Sequence, residues 1–302
     1  MGIDFGNLIK KSFEIAWKYK TLWIFGLFAG GGGTFNFDWT DKIQTRTADM
    51  DFAYNWFDKL SMPGELVPAK FAVLGALILW VAALVLLFII CYLIAQPAII
   101  DAVNKITRGG QYSFGTSFSR GTDFFWRFLG ILMVQLFTGV ALVGAIVVLA
   151  VVLTPFTLLL TIPAAVVLIF FIYHTFGLAE VAIVARNGTI ADSIIEGWNL
   201  LMANKANCFI MTLIMIGLGI AMFIVVGILT LIFYLPINLL VLGVTENLVA
   251  ILLMALFIGL PVALVIGGYT GTFFNSLYVQ FYFRLVEPPQ VAATPAPTAQ
   301  GM

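Results

Sequence analysis

The sequence predicts an all-α integral membrane protein with six transmembrane helices, built as three repeats of an amphipathic interfacial helix and a two-span hairpin. Three observations lead to this fold. Of the 302 residues, 62% are hydrophobic and only 10% are charged, whereas a soluble domain carries roughly 25% charged residues. Long stretches lack acids, lysine and arginine, and one of them runs from Phe128 to Ala179. A short amphipathic pattern also recurs three times, each time directly before an apolar stretch.

The recurring pattern predicts three short amphipathic helices, at residues 4–17, 113–126 and 189–202. Each copy begins at a residue type that favours the N-cap position of a helix. These cap residues are Asp4, Ser113 and Thr189. Apolar residues then follow at the spacing of one face of a 3.6-residue helix, and polar residues occupy the other face.

Eight positions after each cap, the apolar face carries a small residue: Ser12, Gly121 and Gly197. We expect each of them to mark the point where a short helix crosses a neighbouring helix closely. The polar faces of the first two copies are basic, which suits anionic headgroups. The candidate headgroup-binding residues are Lys10, Lys11, Lys18, Arg120, Arg127 and Lys205.

A single membrane domain is predicted over residues 1–286. Its six predicted spans cover residues 17–33, 70–96, 127–153, 157–184, 207–234 and 247–283. The first span is weak, because its helix would be about 25 Å long and the hydrocarbon core is roughly 30 Å thick. A signal peptide is the competing interpretation of this end, but no A-x-A-like site follows it.

Two segments are predicted to lie outside the helices. Residues 34–68 form a polar, aromatic-rich external loop, and residues 287–302 form a Pro/Ala-rich disordered tail in the cytoplasm. The caps of the first and second copies are 109 residues apart, whereas those of the second and third are 76 apart. The difference of 33 residues is about the length of the loop. The first repeat is therefore expected to equal the others plus an insertion.

Lysine and arginine are distributed unevenly between the two predicted sides of the membrane. Eleven lie on the side of both termini and the three short helices: Lys10, Lys11, Lys18, Lys20, Lys105, Arg108, Arg120, Arg127, Arg186, Lys205 and Arg284. Four lie on the other side: Lys42, Arg46, Lys59 and Lys70. Because basic loops are retained in the cytoplasm, we expect both termini to be cytoplasmic, in a bacterial inner membrane.

Few residues point to chemistry. The chain has one histidine, and it contains no phosphate-binding loop, HExxH motif or CxxC pair. We therefore expect no enzyme, no cofactor and no metal, and the zero net charge gives no reason to expect nucleic acid. The candidate polar positions within the membrane are Gln135, His174 and Asn275. A hydrogen bond between helices would explain each of them without a function.

The stretch LAEVAIVARNGTIADSIIEGWNLLMANKANCF (178–209) resembles the most characteristic part of a broad group of bacterial multi-pass membrane proteins. This group includes the membrane domain attached to some glycerophosphodiester phosphodiesterases and the YciC-like proteins. The opening FGNLIKKSFEIAWKYKTLWIFGL is similar to their N-terminus. The resemblance implies the architecture of helices described above. It carries over no catalytic residue, because the catalytic barrel is absent from this sequence.

Three classes of function stay open. The first is a non-enzymatic membrane protein that organises anionic lipids or membrane-protein partners at the cytoplasmic face. The second is a transporter or lipid carrier, which a polar cavity lined by Gln135, His174 and Asn275 would favour. The third is an enzyme that uses the acidic external loop, which a metal held by Asp49, Asp51 or Asp58 would favour. We expect the first.

Overall fold

The computed structural model describes residues 3–30, 67–152, 155–244 and 260–286. Every regular element in these ranges is a helix. The helices are α1 (Phe5–Lys18), α2 (Leu22–Gly30), α3 (Val67–Thr107), α4 (Phe114–Asp123), α5 (Phe125–Val152), α6 (Pro155–Arg186), α7 (Ile190–Ala203), α8 (Lys205–Val244) and α9 (Leu260–Val286). Nearly all of the predicted external loop and the whole predicted tail lie outside these ranges.

Four stretches of helix are long and apolar enough to cross a membrane: Ile78–Thr107, Phe125–Leu149, Pro163–Arg186 and Lys205–Leu229. Each overlaps one of the four middle spans predicted from the sequence. Several such helices in one chain indicate a multi-pass membrane protein. The first predicted span overlaps α2, which has only nine residues. The sixth predicted span overlaps α9, but the beginning of that span lies outside the described residues. These two crossings stay predictions.

The three short helices α1, α4 and α7 begin one residue after the caps that the sequence predicts. The carboxylate of Asp4 accepts a hydrogen bond from the backbone N–H of Asn7 at 3.0 Å. The Thr189 hydroxyl accepts one from the N–H of Asp192 at 3.3 Å. Ser113 has the extended backbone of a cap residue but makes no such side-chain bond. The cap residues therefore fix where the helices start, through local interactions.

The helix predicted at 113–126 is shorter in the structure. The α4 helix ends at Asp123, and α5 starts at Phe125. Between them, Phe124 is buried with 2% of its surface exposed, whereas Trp126, the last residue of the predicted helix, is 75% exposed. Burial of Phe124 at the junction therefore interrupts a helical pattern that is continuous in the sequence.

The α3 helix is longer than the predicted span, which ends at Gln96. It continues through Pro97 to Thr107, although a proline lacks the N–H that would bond to the carbonyl of Leu93. The six residues after Pro97, from Ala98 to Val103, are buried, and their packing stabilises the helix beyond the proline. The α8 helix likewise extends past the end of its predicted span at residue 234, to Val244.

The short helices pack on long helices in a regular order. The α4 helix lies on α3, α7 lies on α6, and α1 lies on α9, the last helix of the described chain. The α4 and α7 helices therefore each contact the long helix that precedes them, whereas α1 contacts the last described helix. Buried residues concentrate in the C-terminal halves of α3, α6 and α9, whereas α5 and α8 are largely exposed.

The α2 helix lies against α9 with its backbone almost in contact. Four glycines make this approach possible: Gly26 and Gly30 of α2, and Gly268 and Gly271 of α9. A Cβ atom at Gly30 would overlap the Cα of Gly271, and one at Gly268 would lie 2.6 Å from the carbonyl oxygen of Trp23. The hydroxyl of Thr272 lies 3.0 Å from the carbonyl oxygen of Leu22 and can donate to it across the same interface.

Candidate functional site

The three polar residues predicted within the membrane do not come together. Gln135 of α5 contacts Glu180 of α6. His174 contacts residues of α8 and α9. The amide of Asn275 donates to the carbonyl of Gly271, one turn earlier in its own helix, at 2.9 Å. Each of the three side chains therefore has its own hydrogen-bond partners, and none of them contacts another of the three.

Glu180 is the centre of a polar cluster between three helices. Its side chain is buried, with 8% of the residue exposed. One carboxyl oxygen accepts from the Gln135 amide at 2.9 Å, and the other accepts from the Gln96 amide of α3 at 3.1 Å. Within the described ranges no lysine or arginine pairs with it. A carboxyl group held by two amides alone is costly to bury and requires both of them.

The Gln96 side chain has one atom without a partner. Its amide nitrogen donates to Glu180, but its buried Oε1 accepts no hydrogen bond from the described residues. A carboxylate carries no proton that it could offer to this oxygen. The cluster therefore leaves one buried acceptor unpaired beside a carboxyl group, and an added proton or small cation would satisfy it better.

The sequence contained a signal for this cluster that the pattern of spans obscured. Glu180 is the single Asp, Glu, Lys or Arg between Arg127 and Arg186, and it falls inside the predicted span 157–184. An ionisable residue within a span is a functional candidate by default. Gln135 was already a candidate, but periodicity gave no means to find that it and Gln96, which lie on other helices, contact Glu180.

His174 joins α6 to α8 and α9. Its Nε2 lies 2.6 Å from the Thr212 hydroxyl, and its Nδ1 lies 3.2 Å from the Tyr278 hydroxyl. Thr212 in turn donates to the carbonyl of Cys208. The Tyr278 hydroxyl also lies 3.4 Å from the backbone carbonyl oxygen of His174 and can donate to it. Both ring nitrogens are therefore satisfied by protein groups, as in a structural contact between helices.

The candidate headgroup-binding residues lie on the rim formed by the short helices. Lys10, Lys11 and Lys18 are exposed on α1, and Lys205 is exposed at the start of α8. Arg120 and Arg127 are half-buried and flank the ring of Phe124. In the part of the chain that the structure describes, none of these six residues forms an ion pair with an acid. They are therefore free of internal ion pairs on one surface.

The third short helix differs from the other two at this rim. Its Glu196 pairs with Arg186 at 3.1 Å and accepts from the Tyr282 hydroxyl at 2.8 Å. This carboxylate belongs to an internal contact between α6, α7 and α9. The basic surface is consequently contributed by α1, α4 and the first turns of α5 and α8, and α7 adds no cation to it.

The described residues contain no group of three or more His, Cys, Asp or Glu side chains that could hold a metal ion. The acidic residues Asp49, Asp51 and Asp58 lie outside the described ranges. Comparison of the chain with protein-family models, curated proteins and solved structures gives no match.

Proposed function

We propose that this chain is a non-catalytic multi-pass membrane protein whose short helices lie along the cytoplasmic membrane surface and gather anionic lipids or a membrane-protein partner. The proposal includes three repeats, each with a short helix and two spans, and both termini in the cytoplasm of a bacterial cell. The observation that carries it is the shared environment of α1, α4 and α7. Each is anchored to a long helix on one side and exposes aromatic and polar side chains on the others.

The anchoring side is the same in the three helices. Ser12 is fully buried and accepts a hydrogen bond from Gln280 of α9 at 2.7 Å. A Cβ atom at Gly121 would overlap the carbonyl oxygen of Ile94, and one at Gly197 would overlap that of Thr175. A residue of any larger size would push each short helix off its neighbour.

Large aromatic side chains are exposed on each short helix, next to the side that packs on a long helix, and also at the start of α5, directly after α4. These are Phe13 and Trp17 of α1, Phe118 of α4, Trp126 at the start of α5 and Trp198 of α7, all 45–75% exposed. Aromatic rings are enriched at the level of the headgroups, where an apolar body meets water. Their positions next to basic residues are typical of helices that lie in the interface.

The basic rim supplies attraction to anionic lipid. Each lysine or arginine near an anionic membrane surface contributes about 1 kcal/mol of binding free energy. Because the six rim residues are not neutralised by acids within the described ranges, their charge is available to headgroups. The expected result is an annulus of anionic lipid around the cytoplasmic end of the helices.

Lipid retention after purification in mild detergent tests this proposal. We expect the wild-type protein to retain anionic lipid in preference to phosphatidylcholine, and Lys10→Glu with Lys11→Glu to lower that retention without lowering the midpoint of thermal unfolding. Lys42→Glu with Lys59→Glu is the matched control, because it makes the same charge change in the predicted external loop. An equal effect of both pairs would contradict the proposal.

A transporter or lipid carrier is the second candidate, and the Glu180 cluster favours it. A buried carboxyl group beside an unsatisfied amide oxygen is the kind of site at which a membrane carrier loads a proton or a small cation. Proteoliposomes that contain a pH-sensitive dye test this candidate. Proton movement that depends on Glu180, and that Glu180→Gln abolishes, would replace the first proposal with the second.

A further inference from the structure

Arg120 and Arg127 converge on one aromatic ring at the junction of α4 and α5. The guanidinium carbon of Arg120 lies 4.9 Å from the centre of the Phe124 ring, and that of Arg127 lies 5.1 Å from it. The two guanidinium groups are therefore at most about 10 Å apart. An anion bound close to both groups would offset their mutual repulsion.

The second arginine is also held in place. Its Nη1 donates to the side-chain oxygen of Asn187, in the segment between α6 and α7, at 2.6 Å. Asn187 adopts a left-handed backbone conformation, with a φ of 56°, which asparagine tolerates better than most residues. The contact therefore fixes Arg127 of α5 against the segment between α6 and α7 instead of leaving it free in solvent.

No carboxylate neutralises this pair in the part of the chain that the structure describes. Asp123 is the acid nearest in sequence, but it is exposed and forms no ion pair with either arginine. Two half-buried guanidinium groups, positioned by an aromatic ring and an amide, still have N–H donors that the protein does not use. Such donors match the oxygens of a phosphate group bidentately.

We propose that Arg120 and Arg127 bind one phosphate monoester group, such as the headgroup of phosphatidic acid, at the junction of α4 and α5. This inference rests on the proposed function, because it names the ligand class of one part of the basic rim. It goes further in predicting selectivity. The remaining lysines would attract any anionic lipid, whereas this arginine pair would prefer a terminal phosphate with three free oxygens.

The other two short helices provide an internal comparison. Counted from the cap residues, Arg120 and Arg127 correspond to Lys11 and Lys18 of α1, and to Glu196 and Ala203 at the end of α7. The lysines keep the charge but lack the planar fork of arginine. The site is therefore expected at only one of the three short helices, and Lys11 and Lys18 are the matched control positions.

Native mass spectrometry of the full-length protein tests the inference. Mild detergent is doped with phosphatidylcholine and an equal fraction of phosphatidic acid or phosphatidylglycerol, and bound lipids are counted. We expect the wild type to prefer phosphatidic acid about tenfold, since one strong charge-assisted contact has about that effect. Arg120→Lys with Arg127→Lys should remove the preference while phosphatidylglycerol binding and thermal stability stay unchanged.

Two further variants separate this site from general attraction. Lys11→Gln with Lys18→Gln should lower the binding of both anionic lipids by the same factor. Asn187→Ala keeps both guanidinium groups but removes the hydrogen bond that holds Arg127. It should reduce the preference for phosphatidic acid over phosphatidylglycerol without abolishing it. Excess inorganic phosphate distinguishes a free phosphate from a lipid headgroup as the ligand. If it displaces phosphatidic acid, the site also takes a free phosphate group. If phosphatidic acid stays bound, the lipid is the ligand.

The outcomes distinguish this inference from the proposed function. If the wild type binds both anionic lipids better than phosphatidylcholine but equally well, the phosphate site is overturned and the proposed function stands. A preference that survives the two lysine substitutions would overturn the site as well. If no anionic lipid is bound better than phosphatidylcholine, the proposed function fails and this inference fails with it.

Discussion

Gly197 of α7 rests directly on the backbone carbonyl of Thr175 in α6. The contact leaves no room for a Cβ atom, so the two helix backbones approach each other as closely as they can. Gly121 makes the same kind of contact with the carbonyl of Ile94 in α3. Small residues at one position of the short helices thus determine how tightly those helices seat on the long ones.

The first prediction concerns these seats. Gly121→Ala should lower the free energy of unfolding by about 1–3 kcal/mol, because the added methyl group overlaps a backbone oxygen. Gly121→Leu and Gly197→Leu should be more damaging. Gly115 lies in the same short helix with open space around it, so Gly115→Ala should be neutral or stabilise the protein by up to roughly 1 kcal/mol. Thermal unfolding in one detergent measures the difference. Equal changes in the unfolding midpoint for Gly121→Ala and Gly115→Ala would contradict the close contact at Gly121.

The second prediction concerns the Glu180 cluster. Glu180→Leu should lower the free energy of unfolding by about 1–3 kcal/mol, because the amides of Gln96 and Gln135 lose a buried acceptor. Glu180→Gln keeps an acceptor oxygen and should lower it less. A double-mutant cycle with Gln135→Leu should give a coupling of about 0.5–3 kcal/mol. Additive effects in denaturant unfolding would show that the two side chains do not interact.

The third prediction concerns His174. His174→Phe keeps an aromatic ring against Tyr278 but removes both hydrogen bonds, and it should lower the free energy of unfolding by about 1–3 kcal/mol. Thr212→Val should have a smaller effect, and the double variant should be less than additive. Lipid retention should stay at the wild-type level in all three. Loss of lipid without loss of stability would mean that His174 binds a ligand.

The fourth prediction concerns topology. Ser119→Cys in α4 should react with a membrane-impermeant maleimide from the cytoplasmic side alone, and Ser61→Cys in the predicted loop from the opposite side alone. Intact cells and inverted vesicles give the two measurements. The wild-type chain is the control, since Cys91 and Cys208 lie within candidate spans. Labelling of both new cysteines from one side would overturn the proposed orientation.

The Glu180 cluster shows where sequence reasoning stopped. The sequence identified Gln135 and His174 as polar side chains in apolar helices, because that depends on composition alone. Their partners, Glu180 for the first and Tyr278 with Thr212 for the second, lie 38 to 104 residues away in the chain. Periodicity carries no information about which distant helices become neighbours, so these pairs were not predictable.

The sequence by itself determined the apolar character of the long helices, the starting residues of α1, α4 and α7, and the small residue on the inner side of each. These features are local, because caps and periodicity act within a few turns of helix. Tertiary structure alone decided that α1 seats on α9, that α3 continues through Pro97, and that Phe124 separates α4 from α5. Those outcomes depend on packing between residues far apart in the chain, where burial outweighs local preference.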